Sequence, residues 1–148
     1  MSYKVFRVED RIAVPDMPSP RYHNKIFVET EADGSGFIHH VTGDLVSGMH
    51  YEVKKGEKPE SSEIYHAKHF VGTIGASEYP ANINEVLERL PAPGKQKSFN
   101  TTTMRTEQHK SPGEFYAPGE SRPPMFKCTE WTIYQAIPAL EEAGVIHK

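Results

Sequence analysis

Two short β-forming runs facing each other across a turn constrain this chain more than anything else in it. Asn24-Lys-Ile-Phe-Val-Glu-Thr30 is rich in β-branched and aromatic residues, and Phe37-Ile-His-His-Val41 answers it. Between them, Glu31-Ala-Asp-Gly-Ser-Gly36 supplies residues that accept the backbone angles of a tight turn. The pattern predicts a β-hairpin, and a hairpin commits the chain to an antiparallel sheet. Residues 3–8 alternate and predict a strand before it. Pro15, Pro18 and Pro20 hold the intervening chain extended up to Tyr22. After the Gly43-Asp44 break, residues 49–54 predict a third strand, residues 56–62 a polar loop, and residues 64–74 one or two further strands ending at Gly75.

Only two segments carry helical spacing. Ile83, Val86, Leu87 and Leu90 predict a helix over 82–90, stopped by Pro91 and Pro93-Gly94. The second helix runs over 128–143, with Ile133, Ile137 and Leu140 as its inner stripe and Gly144 as its cap. Pro138 removes one of its backbone hydrogen bonds and is expected to kink it. Residues 94–127 hold Pro112, Gly113, Pro118, Gly119, Pro123 and Pro124 without periodicity, so a long irregular loop or lid is expected there. The fold class expected is therefore α+β: an antiparallel β-sheet packed against a C-terminal helix carrying Cys128 and one further helix. All of it belongs to a single domain spanning 1–148.

With 17 basic and 20 acidic residues the chain has a formal charge of -3, which offers no field to recruit nucleic acid. No apolar run approaches the roughly 20 residues that cross a bilayer, so no membrane anchor is expected. The N-terminus lacks the apolar centre of a secretory signal, and one cysteine forms no internal disulfide. A cytoplasmic setting is the expectation.

That one cysteine, Cys128, stands where the last helix begins, after the breaker run Ser121-Arg-Pro-Pro124. A helix start carries unpaired N–H groups and the positive end of the macrodipole, which favour thiolate and can hold an oxyanion. A lone cysteine is ordinarily a small buried hydrophobe, so Cys128 needs a partner before chemistry is assigned to it. The chain has eight histidines. His66 and His69 fall on opposite faces of a strand and lack a cysteine pair, so no metal is expected, and no cofactor either. His147 adjoins the C-terminus and is expected to fray. His109 lies in the irregular segment. His23 opens the first strand of the hairpin and His40 lies in the second, so the turn brings them onto adjacent strands. His39 points to the face opposite His40.

These segments resemble the permuted papain-like thiol enzymes, a branch of the NlpC-like superfamily that includes lecithin–retinol acyltransferase. The corresponding stretches are His23-Asn-Lys-Ile-Phe-Val, Asp33-Gly-Ser-Gly, Phe37-Ile-His-His-Val41 and Lys127-Cys-Thr-Glu-Trp131. Gly36-Phe-Ile-His-His-Val-Thr-Gly43 together with Ala136-Ile-Pro-Ala-Leu-Glu-Glu-Ala-Gly144 also looks like an uncharacterised group of small fungal proteins. The resemblance implies a permuted papain-like fold with Cys128 as nucleophile, His23 as general base and His40 as the orienting third member, with His39 as the alternative. Asn24 and Lys127 stand where that group carries an aromatic residue and an asparagine.

The expected activity is thus a thiol-dependent hydrolase or acyltransferase acting on an ester, thioester or amide of a soluble peptide or small molecule. Two other readings fit the same residues: a binding or interaction protein on this scaffold, or a small-molecule cyclase or isomerase.

Overall fold

The computed structural model describes residues 1–11, 22–111, 113–117, 119–121 and 126–148. The prolines at 15, 18, 20, 112, 118, 123 and 124, and with them the extended run before Tyr22 and most of the breaker run before Cys128, lie outside these residues. Five strands form one antiparallel sheet: β1 (Ser2–Arg11), β2 (Tyr22–Glu29), β3 (Gly36–Asp44), β4 (Gly48–Gly56) and β5 (Tyr65–Gly75), in the order β4-β3-β2-β1-β5. The expected hairpin is present as β2–β3, with Val28 opposite Phe37 and Ile26 opposite His39. Its turn closes through Thr30 N–H and Glu31 N–H, both donating to Ser35 O. Gly34 takes the positive φ of 92° that the turn requires. Residues 64–74 form one strand rather than two. It absorbs two register shifts against β1, which leave His66 and Val71 without partners.

Alternation gives the sheet two apolar faces. On one, Val5, Ile26, Val28, Val41 and Ile74 pack under α1 (Ala81–Arg89) and the C-terminal helix, through Ile83, Leu87, Trp131, Ala136 and Leu140. On the other, Val8, Phe27 and Ile38 gather with Phe6 and Tyr65. The structure is therefore α+β, with the sheet packed against the helix that carries Cys128 and against one further helix.

Residues 94–127 depart from expectation. They contain a second small antiparallel sheet, β6 (Lys97–Asn100), β7 (Arg105–Ser111) and β8 (Glu114–Phe115). Apolar periodicity missed it because it has almost no apolar face: in β7 only His109 is buried. Polar bonds organise it instead. Asn100 Oδ1 accepts from Thr102 N–H (2.9 Å) and Thr103 N–H (3.4 Å) at the turn, and His109 bridges Ser98 Oγ (2.8 Å) and Lys95 O (3.1 Å). The C-terminus is tied down rather than frayed, since Thr73 and His147 exchange both main-chain hydrogen bonds. Gly72 allows that approach; a Cβ there would meet Ile146 Cγ2 at 2.5 Å.

The C-terminal helix is α2 (Cys128–Glu130), then a π-helical stretch (Trp131–Ala136), then α3 (Ile137–Glu142). Pro138 explains the sequence of pitches. Its ring collides with the carbonyl four residues back, and widening the preceding turn relieves the collision. The wider turn also rotates the buried stripe. Trp131, Thr132, Ala136 and Leu140 are buried, while the predicted Ile133 and Ile137 are only half-buried. Gly144, at φ 73°, caps the end as expected.

Candidate functional site

The pairing of β2 with β3 stops at Ile26–His39, although β2 continues back to Tyr22 and β3 on to Asp44. Thr30 N–H faces β3, so by alternation the carbonyls of Tyr22 and Asn24 face the gap that β3 leaves. The C-terminal helix fills their valences. Thr129 Oγ1 donates to Tyr22 O (3.0 Å) and Thr132 Oγ1 to Asn24 O (3.4 Å), while Asn24 Nδ2 donates to Thr129 Oγ1 (2.9 Å). Arg7 Nη1 in turn donates to Asn24 Oδ1 (2.7 Å). The helix start is thereby bolted to the residues on either side of His23. Two further bonds fix its approach. Glu130 Oε1 accepts from Lys127 N–H (2.8 Å), and the Gln96 amide clasps Phe126 N–H and O, both at 2.6 Å.

His23 and His40 meet as their strands predict, with His23 Nε2 3.3 Å from His40 Nδ1. His40 Nε2 lies 3.1 Å from Glu52 Oε1, directly across the β3–β4 pair. These contacts fix the tautomers. A carboxylate only accepts, so His40 Nε2 carries the proton and donates to Glu52. The neutral His40 then accepts at Nδ1, and His23 Nε2–H donates to it. The lone pair of neutral His23 is left on Nδ1. Burial holds His23 down at about 4, helped by the neighbouring His40 and by Lys25 and opposed by Asp10, its cross-strand neighbour. His40 is lowered by burial as well, against the pull of Glu52. Lys25 is paired with Asp10 at 2.6 Å.

Cys128 is the first residue of the helix, 2 % exposed, within the cluster formed by Ile26, Val41, Trp131 and their neighbours. His39 belongs elsewhere. It lies at the centre of a buried chain in which it contacts the hydroxyls of Tyr51 (2.6 Å) and Tyr79 (2.7 Å), with Tyr51 donating to Asn84 (2.8 Å). That is a satisfied core histidine, and of the pair 39/40 it is His40 that touches His23. His66 stacks on Tyr22 and His69 pairs with Glu9, so the two rings serve separate contacts. Among the described residues no group of three or more His, Cys, Asp or Glu side chains is arranged to hold a metal ion, and no helix is long and apolar enough to cross a membrane.

Glu52 escaped the sequence analysis, although a signal for it exists. Once Asp44 and Gly48 are taken as the ends of a hairpin, counting back along both strands sets His40 opposite Glu52.

A model of the family DUF6540, described as a family of unknown function, matches residues 11–147. No curated protein and no solved structure matches.

Proposed function

We propose, for a chain that belongs to DUF6540, a family of unknown function, a thiol-dependent hydrolase or acyltransferase of permuted papain-like architecture acting on an ester, thioester or amide of a soluble peptide or small molecule. One observation carries the reading. The chain Glu52–His40–His23 leaves an unprotonated lone pair on His23 Nδ1, at the strand end to which the Cys128-bearing helix start is bolted. In the reaction His23 Nδ1 takes the thiol proton as Cys128 sulfur attacks the carbonyl carbon. Main-chain N–H groups at the helix start hold the oxyanion. The leaving group departs with the proton from His23, and a thioester remains on Cys128. Water, or another acceptor, deprotonated by His23, then displaces the acyl group and restores the thiol. His40 orients His23, and Glu52 fixes the tautomer of His40.

A second reading, a binding protein on the same scaffold with an inert thiol, is favoured by the near-complete burial of Cys128. Intact-mass analysis after incubation with a panel of small thioesters and activated esters separates the two. An acyl adduct on Cys128, absent in Cys128→Ala and strongly slowed in His23→Ala, is the expected result. No adduct, with iodoacetamide labelling at pH 6 no faster than that of a free thiol, would leave only the binding protein. Turnover that survives Cys128→Ala would point to a cyclase or isomerase.

A further inference from the structure

The opposite end of the hairpin from His23 carries a pocket that the thiol chemistry does not use. It has a volume of about 300 Å³ and is walled by Tyr3, Phe37 and Tyr79, with Val53 beside them and Thr30 and Glu31 from the hairpin turn. The rings are not stacked. Tyr79 stands at 84° to Tyr3, with centroids 5.7 Å apart, and at 50° to Phe37, with centroids 6.4 Å apart. Rings inclined in this way turn aromatic surface toward a shared space from several directions, and the face of each ring carries the negative lobe of its quadrupole. Glu31, exposed, adds a full negative charge at the mouth. The Thr30 hydroxyl is buried and has no hydrogen-bond partner. Tyr79 is already set before any ligand arrives, because its hydroxyl is held by His39 Nε2 at 2.7 Å.

We infer that this pocket binds a small trimethylammonium cation. The methyl groups pack on the rings and the charge faces Glu31. The chemistry selects this class over its neighbours. An anion is repelled by both the ring faces and Glu31. A hydrated primary ammonium gives up more water than aromatic faces restore, whereas a methylated one is weakly hydrated. A neutral apolar ligand of the same shape packs on the rings but leaves the carboxylate and the ring quadrupoles unused. The inference stands apart from the thiol chemistry, since none of these residues touches Cys128, His23 or His40 in the proposed reaction.

Titration calorimetry of the full chain with choline tests it, using 3,3-dimethyl-1-butanol, which has the same shape with carbon in place of the charged nitrogen, as the control. Choline is expected to saturate one site, with the neutral isostere at least about tenfold weaker. Phe37→Leu and the surface change Glu31→Gln are each expected to weaken choline about three- to tenfold. The Glu31 variant leaves the core intact, so folding does not confound it. Phosphatidylcholine vesicles that compete for the site assign the natural cation to a lipid headgroup, and vesicles that do not compete assign it to a free cation; the cage stands in both cases. An isostere that binds as well as choline overturns the inference. So does the absence of saturable choline binding, or an affinity that neither variant moves.

Discussion

A histidine acts as a base only from a nitrogen that bears no proton, and in this chain the residue deciding that for His23 lies two contacts away. Glu52 only accepts, which orders the protons along His40 and His23. Glu52→Gln offers His40 both a donor and an acceptor, so both proton arrangements become available and acylation is expected to slow at least about tenfold. Glu52→Lys offers only donors. It forces the His40 proton onto Nδ1 and the His23 proton onto its own Nδ1, and acylation should be lost. Both variants should also lower the pH at which His40 titrates, since Glu52 is the main group raising it; histidine ¹⁵N spectra would read the tautomers and the titration together. A Lys variant as active as the parent would refute the ordered chain. His39 plays a different part. His39→Phe keeps an aromatic ring but strips the partner from the half-buried Tyr79 hydroxyl and overfills a fully buried site, and about 2–4 kcal/mol of stability should go with it in urea unfolding. His23–His40 chemistry does not depend on that bond.

At the level of elements, what was legible in the chain is what apolar periodicity writes. The β2–β3 hairpin, α1 and the extent of the last helix follow from alternation and helical spacing because each buries an apolar face. The sheet β6–β8 left no such mark, since polar bonds around His109 and Asn100 hold it. The buried stripe of the C-terminal helix was misjudged for another reason. Pro138 converts the turn before it to π pitch, and residue counting at 3.6 per turn then names the wrong neighbours. Of the site, the meeting of His23 and His40 was legible from the hairpin, and Glu52 was hidden in the register of the next one. The attachment of the helix start was not legible at all, because it consists of threonine hydroxyls taking carbonyls that β3 abandons. Thr129→Val tests that attachment directly. The hydroxyl bridges Tyr22 O and Asn24 Nδ2, so its loss should cost roughly 1–3 kcal/mol. Amide exchange should accelerate across the first turn of the helix more than across α1. Uniform acceleration in both helices would mean that Thr129 supports only global stability.

For the whole molecule, the histidines turn the polar architecture into a pH dependence. His23 and His39 are both held near 4 in the folded protein, chiefly by burial, against an ordinary value of 6.5. Between those values the unfolded chain binds protons that the folded one refuses, so stability must fall as the solution is acidified. Each histidine contributes its full share above pH 6.5 and has lost about 3 kcal/mol by pH 4. Two such losses are comparable with the whole margin of a small domain, roughly 5–15 kcal/mol. Around pH 5 these two alone should give a slope approaching about 2.7 kcal/mol per pH unit, nearly one proton each separating the states, and His40, also lowered by burial, adds to it. Asp33, Asp44, Glu52 and Glu60 are lowered from ordinary values of 3.8 or 4.5, so what they contribute is lost only at still lower pH. The interval from 6.5 to 4.5 thus belongs to the histidines. His39→Gln can still bond to the tyrosine hydroxyls but does not titrate, and it should remove up to about 1.4 kcal/mol per pH unit of the slope while lowering stability at pH 7 less than His39→Phe does. Urea midpoints measured every half unit from pH 7.5 to 4.5 would give both slopes. A parent protein whose midpoint stays level down to pH 5 would mean that these imidazoles are protonated in the fold. The neutral His23 on which the proposed acyl transfer relies would then give way to imidazolium already below about pH 6.5 rather than below about 4.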